Sequence, residues 1–209
     1  MAIQSQSSLP FHGGPMSEEE YLQLDRNAWN ARYEYIDGVA RLMAGGSIEA
    51  DRIGFNVRSI LTGSLRAGPC TVFGPDVQVL IGVKPNGRND YYYPDCTISC
   101  DPADRRRGTK LIRSPRVAIE VLSPGTEKDD RGKKLDHYEA LPTMHEIVLI
   151  SQFAPHVEVY TREKDSVNWK HTMYRAGESV LLESMGVELA MDEIYEGVNF
   201  DEPLPSEIE

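Results

Sequence analysis

The stretch "VAIEVLSPGTEKDDRGKKLDHYEA", residues 117–140, places one carboxylate inside an apolar run. The apolar residues on both sides of Glu120 predict a strand that is buried on both faces. An ionised carboxylate in such an interior is costly unless a cation lies beside it. After the strand, Thr126 and Asp129 predict the start of a helix that ends near Leu141. The sequence therefore predicts that a cation lies beside Glu120.

A second carboxylate, Asp95, follows Pro94 in "YYYPDCTISCD", residues 91–101. Proline removes a ladder hydrogen bond, so we expect Asp95 near the start or edge of its strand. Neighbouring strands lie about 4.8 Å apart, so Asp95 and Glu120 converge if their side chains share a face. Two close carboxylates repel each other unless a cation lies between them, and a hard divalent ion such as Mg²⁺ meets that need.

Lysines on the predicted helix are another source of positive charge. Lys134 lies one turn after Asp130, a spacing that often gives only an exposed ion pair. If the helix packs back across the sheet, Lys134 instead reaches the two carboxylates. Lys133 is the competing candidate, and periodicity alone does not choose between them.

Local signals predict several further elements. Ser17 and Glu20 form a capping-box pattern that begins a first helix, and Ser47 caps a second. "YEYIDGVARLM", residues 33–43, predicts a hairpin with its tight turn at Asp37-Gly38. "YYYPDCTISC" and "RVAIEVL" are each predicted to be one strand.

The 209 residues have an ordinary globular composition, and no apolar run approaches the roughly 20 residues that span a bilayer. Residues 1–15 lack the features of a secretory signal and are predicted to be a loose tail. Residues 16–209 are predicted to form one domain. The order of elements predicts an α/β (α+β) fold, in which helices flank a mixed central β-sheet.

The cysteines, Cys70, Cys96 and Cys100, are odd in number and lack C-x-x-C spacing. This pattern favours reduced, apolar cysteines in a cytoplasmic protein. The alternative is a zinc site built from Cys96, Cys100 and a distant histidine, although zinc ligands usually have tighter spacing.

The net charge of −11 argues against a general polyanion binder. The charge is unevenly distributed, however, because ten basic residues and five acidic ones lie between Asp104 and Lys134. This basic segment brackets Glu120 and predicts a local anion-binding surface.

The run "YPDCTISCD", followed by residues 117–140, resembles the PD-(D/E)XK nuclease superfamily and, within it, the Uma family of restriction endonucleases. The resemblance extends from about Ser17 to Phe200 and includes "YEYIDG" and "EIYEGV". It implies a restriction-endonuclease-like core. By position, the metal-binding carboxylates of the family fall on Asp95 and Glu120, with the main-chain carbonyl of Val121 as a further ligand.

The resemblance also assigns the remaining site residues. Ordinary members place a lysine two residues after the strand carboxylate, where this chain has Leu122. In the Uma family the next helix supplies the lysine, which falls on Lys134. Glu34 matches a glutamate that reaches the same pocket. Tyr138 matches a tyrosine beside that pocket, and Ala50 departs from a histidine that relatives often carry. Apart from the resemblance, Asp76 in "GPDVQV" is a further candidate for a supporting role.

The resemblance implies a phosphodiester hydrolase that depends on Mg²⁺ or Mn²⁺, most simply a DNA endonuclease. Basic residues would engage the nucleic-acid backbone: Arg105, Arg106, Arg107, Arg131 and Lys133. The alternative from a different class is a catalytically inactive module that binds nucleic acid or protein. A third reading is a hydrolase of another phosphate-bearing substrate. No membrane partner is expected, and the sequence leaves a homodimer open.

Overall fold

The structure, a computed structural model, describes residues 13–43, 45–82 and 87–200. The helices are α1 Glu18–Asn27, α2 Ile48–Leu65, α3 Glu127–Asp129, α4 Leu135–Glu139 and α5 Met191–Ile194. The strands are β1 Gly14–Pro15, β2 Tyr33–Ile36, β3 Val39–Leu42, β4 Thr71–Phe73, β5 Gln78–Ile81, β6 Asp90–Tyr92, β7 Cys96–Ser99, β8 Leu111–Ile112, β9 Pro115–Leu122, β10 Glu146–Ser151, β11 His156–Arg162, β12 Trp169–Arg175, β13 Ser179–Leu182 and β14 Val187–Ala190.

Two six-stranded sheets form the body of the protein. One has the order β1-β3-β2-β6-β5-β8, and the other has the order β12-β11-β10-β9-β7-β4. Each is mixed, because β5 pairs with β8 and β9 pairs with β10 in parallel, whereas their other pairs are antiparallel. The predicted α+β class with helices flanking a mixed sheet is confirmed.

The predicted strand "YYYPDCTISC" is wrong as a single element. It is two strands in different sheets, β6 before Pro94 and β7 after Asp95. Proline has no N–H to continue a ladder, so the chain leaves one sheet and enters the other at this residue. The same break confirms that Asp95 lies at the start of its strand.

The two N-terminal helices follow their predicted caps. The Ser17 hydroxyl accepts the Glu20 N–H, and the Glu20 carboxylate accepts the Ser17 N–H in return. At α2 the Ser47 hydroxyl accepts the Ala50 N–H at 3.0 Å. One face of α2 packs its apolar side chains, Ile53, Val57 and Leu61, against the β9 and β10 side of the second sheet.

The predicted continuous helix from Thr126 to about Leu141 is also wrong. It consists of α3, a π-helical segment at Asp130–Lys134 and α4, with a kink at Gly132 (φ −108°, ψ −108°). The Thr126 side chain makes no cap hydrogen bond and instead contacts the Ser123 hydroxyl at 2.9 Å. π-Helical turns are rare in proteins, and those that occur are often found at functional sites.

The cysteine prediction is corrected as well. Cys70 and Cys100 form a disulfide, and Cys96 is free and buried. The antiparallel pairing of β4 and β7 places Thr71 opposite Ser99, so the two cysteines are the next pair along. The pairing leaves Cys100 unable to join Cys96 in a zinc site. It also removes the argument from reduced cysteines for a cytoplasmic protein.

The N-terminal prediction meets the structure only in part, because residues 1–12 of the predicted tail lie outside the described residues. Gly14 and Pro15 pair with Ala40 and Val39, so the fold begins before residue 16. Among the described residues, every helix is too short or too polar to cross a bilayer.

Candidate active site

The two predicted carboxylates meet at the end of the central strand pair. Cys96 of β7 lies opposite Ile119 of β9, so the next pair along places Asp95 opposite Glu120. Directly opposed residues project from the same face of a sheet. The Asp95 Oδ2 accepts the N–H of Val121 at 2.7 Å. This hydrogen bond fixes the aspartate against the strand that carries Glu120.

Pro94 ends the hydrogen-bonded pairing of β7 with β9 beside Val121. Continuing the register of β7 and β9 would place Pro94 opposite Val121. Proline has no N–H to donate to the Val121 carbonyl. Since the N–H and carbonyl of a strand residue point to the same side, that carbonyl faces the side on which Asp95 lies. The proline therefore offers no ladder donor to the Val121 carbonyl, which is the predicted backbone ligand.

Lys134 has its ammonium group in the midst of three carboxylates. Its Nζ lies 3.0 Å from Glu34 Oε1, 3.1 Å from Glu120 Oε1 and 3.1 Å from Asp130 Oδ1. The side chain is almost wholly buried, as are Glu120 and Asp130. The Nζ also lies 5.4 Å from the centre of the Tyr92 ring. Between Lys133 and Lys134, the structure brings Lys134 to the carboxylates.

Glu34 and Tyr138 complete the contacts around the lysine and Glu120. The Glu34 Oε1 accepts the N–H of Tyr93 at 3.1 Å, which ties β2 to the end of β6. The Tyr138 hydroxyl donates to Glu120 Oε1 at 2.7 Å. Burial raises the pKa of Tyr138 well above its ordinary value, so the phenol keeps its proton and stays a donor.

The acidic pocket, defined as Glu34, Asp95, Glu120, Asp130 and Lys134, carries four carboxyl groups and one ammonium. Burial raises the pKa of Asp95 and raises that of Glu120 well above its ordinary value, although Lys134 opposes both shifts. Burial alone would lower the pKa of Lys134, yet the surrounding carboxylates raise it well above its ordinary value. The lysine therefore stays charged, and it is shared among four carboxyl groups.

This donor set fits a hard divalent ion. All the side-chain ligands on offer are carboxylate oxygens, which Mg²⁺ and Mn²⁺ prefer. The Asp130 Oδ1 is buried and makes no hydrogen bond, so its contact with Lys134 is electrostatic only. A pocket with excess buried carboxylate and an unsatisfied oxygen has the chemistry of a cation site.

Asp130 is the member of the pocket that the sequence analysis did not assign to the site. The i, i+4 spacing with Lys134 suggested an exposed pair, yet both side chains are buried. The π-helical segment turns both residues inward. The sequence did contain one indication of this kink, because Gly132 lies between the two residues and glycine tolerates unusual backbone angles.

Other predicted residues lie outside the contacts of the pocket. Asp76 is 83% exposed and pairs with Arg32. Arg131 binds Glu127 and Glu158, each at 2.7 Å. The Lys133 Nζ binds Asp37 Oδ2 at 2.8 Å at the tip of the β2–β3 hairpin.

The basic run Arg105, Arg106 and Arg107 lies at the other end of the strands. It follows β7 and precedes β9, whereas Asp95 precedes β7 and Glu120 lies near the end of β9. The strand rise separates these two ends by about 15 Å. These arginines are exposed but do not border the acidic pocket.

A second group of ligand-type side chains, Asp37, Asp90 and His137, was not predicted. Their ligand atoms lie within 4.8 Å of one another. Asp90 is fully buried, its Oδ1 accepts the Asp37 N–H at 2.9 Å, and its Oδ2 lies 3.2 Å from His137 Nδ1. The Lys133 ammonium on Asp37 already supplies positive charge here. The group links the hairpin tip to α4.

Ala50, at the position where the sequence resemblance implied a histidine, lies in the first turn of α2 and packs against the apolar core. That core lies on the sheet face with Ile119 and Val121, opposite to the face of Glu120. The departure therefore changes the α2 side of the sheet and leaves the carboxylates of the pocket unaltered.

Comparison with known proteins supplies the family. Residues 18–192 match the family model Uma2, which is described as "Putative restriction endonuclease". The chain belongs to the Uma2 family. The resemblance found in the sequence motifs is therefore confirmed.

Relatives and a solved structure extend this result. Two uncharacterized proteins of Synechocystis sp. match the Uma2 chain: slr1290 is 33% identical over 185 residues, and sll1609 is 28% identical over 151 residues. These matches cover 88% and 72% of this chain, and 94% and 82% of the relatives. A crystal structure described as a "putative nuclease belonging to DUF820", from Anabaena variabilis, superposes with a TM-score of 0.70. At 16% identity, covering 87% of this chain and 98% of that chain, the likeness shows a shared fold.

Proposed function

We propose that this Uma2 protein is a metal-dependent endonuclease that hydrolyses phosphodiester bonds of nucleic acid, with DNA as the preferred substrate. One observation carries the proposal: four carboxyl groups and one ammonium converge in a buried pocket at the strand ends. Such an excess of buried negative charge is costly in a protein that only folds, and is useful in one that binds a cation.

Asp95 and Glu120 would hold Mg²⁺ or Mn²⁺ with the Val121 carbonyl. The bound ion supplies Lewis-acid chemistry, in that it polarises the scissile phosphate and lowers the pKa of an attacking water. Asp95 is already oriented for this role by the Val121 N–H, and Glu120 by the Tyr138 hydroxyl. Preorganised ligands spare the site the cost of reorganising when the ion binds.

Lys134 would orient the attacking water and neutralise charge that builds on the phosphate oxygens. Its raised pKa keeps it an ammonium at neutral pH, so it acts as a hydrogen-bond donor and a positive charge. Glu34 and Asp130 position the ammonium through their contacts of 3.0 and 3.1 Å. Glu34 thereby supports catalysis through the lysine.

Cleavage assays with matched variants test the proposal. The wild type would be incubated with supercoiled DNA, linear duplex, single-stranded DNA and RNA, each with Mg²⁺, Mn²⁺ or EDTA. We expect cleavage of DNA that requires metal and is lost in Glu120→Gln. Glu158→Gln, which makes the same exchange at another buried glutamate, should retain cleavage.

Two results would redirect the proposal. Binding of nucleic acid without cleavage in any metal would indicate the inactive binding module. Turnover of generic phosphodiesters but of neither DNA nor RNA would indicate a hydrolase of another phosphate-bearing substrate.

A further inference from the structure

A phosphodiester that approaches the acidic pocket meets excess negative charge. The ammonium of Lys134 is enclosed by three carboxylates and is only about 4% exposed. It is therefore poorly placed to attract the substrate from solution. A cation beside the pocket would hold the backbone there in addition to the proposed metal ion.

Arg41 is a partly exposed cation beside the pocket. It is directly opposite Glu34 in the β2–β3 pair, so the two side chains project from the same face. Its guanidinium binds the carboxylate of Asp129. Asp129 directly precedes Asp130, whose carboxylate contacts Lys134. Arg41 thus spans the gap between the hairpin that carries Glu34 and the segment that carries Lys134.

The Arg41–Asp129 pair is suited to exchange its anion. The side chains are 37% and 40% exposed, and exposed ion pairs add little stability. A guanidinium presents a planar fork that fits carboxylate and phosphate oxygens equally well. Asp129 therefore holds the guanidinium of Arg41 at a partly exposed position, where a phosphate can replace the carboxylate.

The other cations near the pocket are less suited. Arg58 is engaged by the main-chain carbonyl of Asp95, to which its Nη1 donates at 3.1 Å. Arg131 is held by Glu127 and by the buried Glu158. Lys133 reaches Asp37 at the hairpin tip, three residues from Glu34, a separation of about 10 Å along the strand. Arg41 is one strand spacing from Glu34, about 5 Å between Cβ atoms.

We propose that Arg41 binds a phosphate of the nucleic-acid backbone beside the acidic pocket, and that Asp129 holds Arg41 in place until the phosphate displaces it. This inference rests on the proposed function, which it deepens by naming the contact that brings the backbone to the pocket.

Binding of short labelled DNA and RNA duplexes tests the inference, measured by fluorescence anisotropy across a salt series with Ca²⁺ in place of Mg²⁺. Arg41→Gln should weaken binding about fivefold to tenfold and lower the slope of log Kd against log salt by about one unit. Asp129→Asn frees the arginine and should bind as tightly as wild type or up to about threefold more tightly.

The controls are Lys170→Gln and Glu183→Gln, which break a similarly exposed ion pair between β12 and the turn that joins β13 to β14. They make the same charge changes away from the pocket and should leave affinity and slope near those of wild type. Thermal melts with and without Mg²⁺ verify that each variant folds and keeps its metal response.

The outcomes separate the two proposals. If wild type binds and cleaves nucleic acid while Arg41→Gln matches Lys170→Gln, the inference about Arg41 is overturned and the proposed function stands. Weaker binding by Asp129→Asn together with unchanged Arg41→Gln would overturn it in the same way. If wild type neither binds nor cleaves any nucleic acid, the proposed function fails and the inference fails with it.

Discussion

Two buried glutamates, Glu120 and Glu158, lie in one row of the same sheet and have opposite surroundings. Both are opposite Leu149 of the strand between them, so their side chains project from the same face about 10 Å apart. The kinked segment crosses above them, with Lys134 on Glu120 and Arg131 on Glu158. Burial is nearly equal, at 4% and 5% exposure.

The charge around the two residues differs in sign. Glu158 is surrounded by donors, with Arg131 at 2.7 Å, His171 at 2.9 Å and His156 at 3.3 Å. Burial opposes ionisation here, but Arg131 and the histidines hold the pKa of Glu158 below its ordinary value. Around Glu120 burial raises the pKa, and neighbouring carboxylates add to the rise.

The comparison teaches that burial of a carboxylate does not by itself indicate a site. Glu158 is satisfied by its neighbours and ties the kinked segment to β11, as a structural ion pair does. Glu120 contacts Lys134 and Tyr138 but also lies near other carboxylates, and its pKa is raised instead of lowered. Perturbed carboxylates of the second kind cluster at functional sites.

Glu120→Gln should have the largest effect. We expect it to abolish cleavage and metal-induced stabilisation, because the amide cannot supply the charge that the ion requires. Stability without metal should be unchanged or slightly higher, because Lys134 keeps Glu34 and Asp130 as partners. Cleavage rates and thermal melts with and without Mg²⁺ measure both effects. A steep loss of stability with the metal response intact would make Glu120 a second structural ion pair.

Lys134→Met removes the one ammonium of the pocket. We expect cleavage to fall by about 10²–10³-fold, as for loss of one donor that stabilises charge in the transition state, while metal binding persists. Stability without metal should fall by about 3–5 kcal/mol, because buried carboxylates lose their cation, and Mg²⁺ should restore much of it.

Lys133→Met is the matched control for this change, since Lys133 pairs with the exposed Asp37. Its effect on stability should remain below about 1 kcal/mol. The assignment of the lysine would be reversed if Lys133→Met abolished cleavage and Lys134→Met did not.

Glu158→Gln should lower stability by about 1–3 kcal/mol, because Arg131 and His171 lose a charged hydrogen-bond partner. Cleavage should persist, since the ionic partners of Glu158 are Arg131, His156 and His171, which are not members of the acidic pocket. Urea denaturation and cleavage rates are the measurements. A gain in stability at neutral pH would show that Glu158 is as strained as Glu120.

The pH dependence of stability should show the smallest effect. It reports most directly that the pKa of Glu158 is lowered and that of Glu120 is raised. The lowered pKa of Glu158 gives stability that is present above 4.5, its ordinary pKa, and is lost as pH falls through the folded pKa. The raised pKa of Glu120 imposes a cost that is absent below 4.5 and grows as pH rises towards the folded pKa.

Relative to wild type in EDTA, Glu158→Gln should therefore be less stable and Glu120→Gln equal or more stable at neutral pH. Both differences should shrink in acid. Urea denaturation at a series of pH values measures them, and two differences of the same sign would contradict the comparison.

The sequence by itself determined the elements whose signals lie within a few residues. The Asp37-Gly38 turn, the Ser17 and Ser47 caps and the buried strand around Glu120 all formed as predicted, because turn chemistry and side-chain periodicity are local. The motif also gave the family. The family resemblance further assigned Glu34, Asp95, Glu120 and Lys134 to one site, and the structure brings them close together.

Tertiary structure alone decided which groups share an environment. The split of "YYYPDCTISC" between two sheets, the Cys70–Cys100 disulfide and the inward turn of Asp130 depend on which strands pair and on the kink at Gly132. Arg131 and Lys134 are only three residues apart, yet Arg131 binds a glutamate whose pKa is lowered and Lys134 binds one whose pKa is raised. Strand pairing and burial set the local charge and solvation, and these quantities depend on residues distant in the sequence.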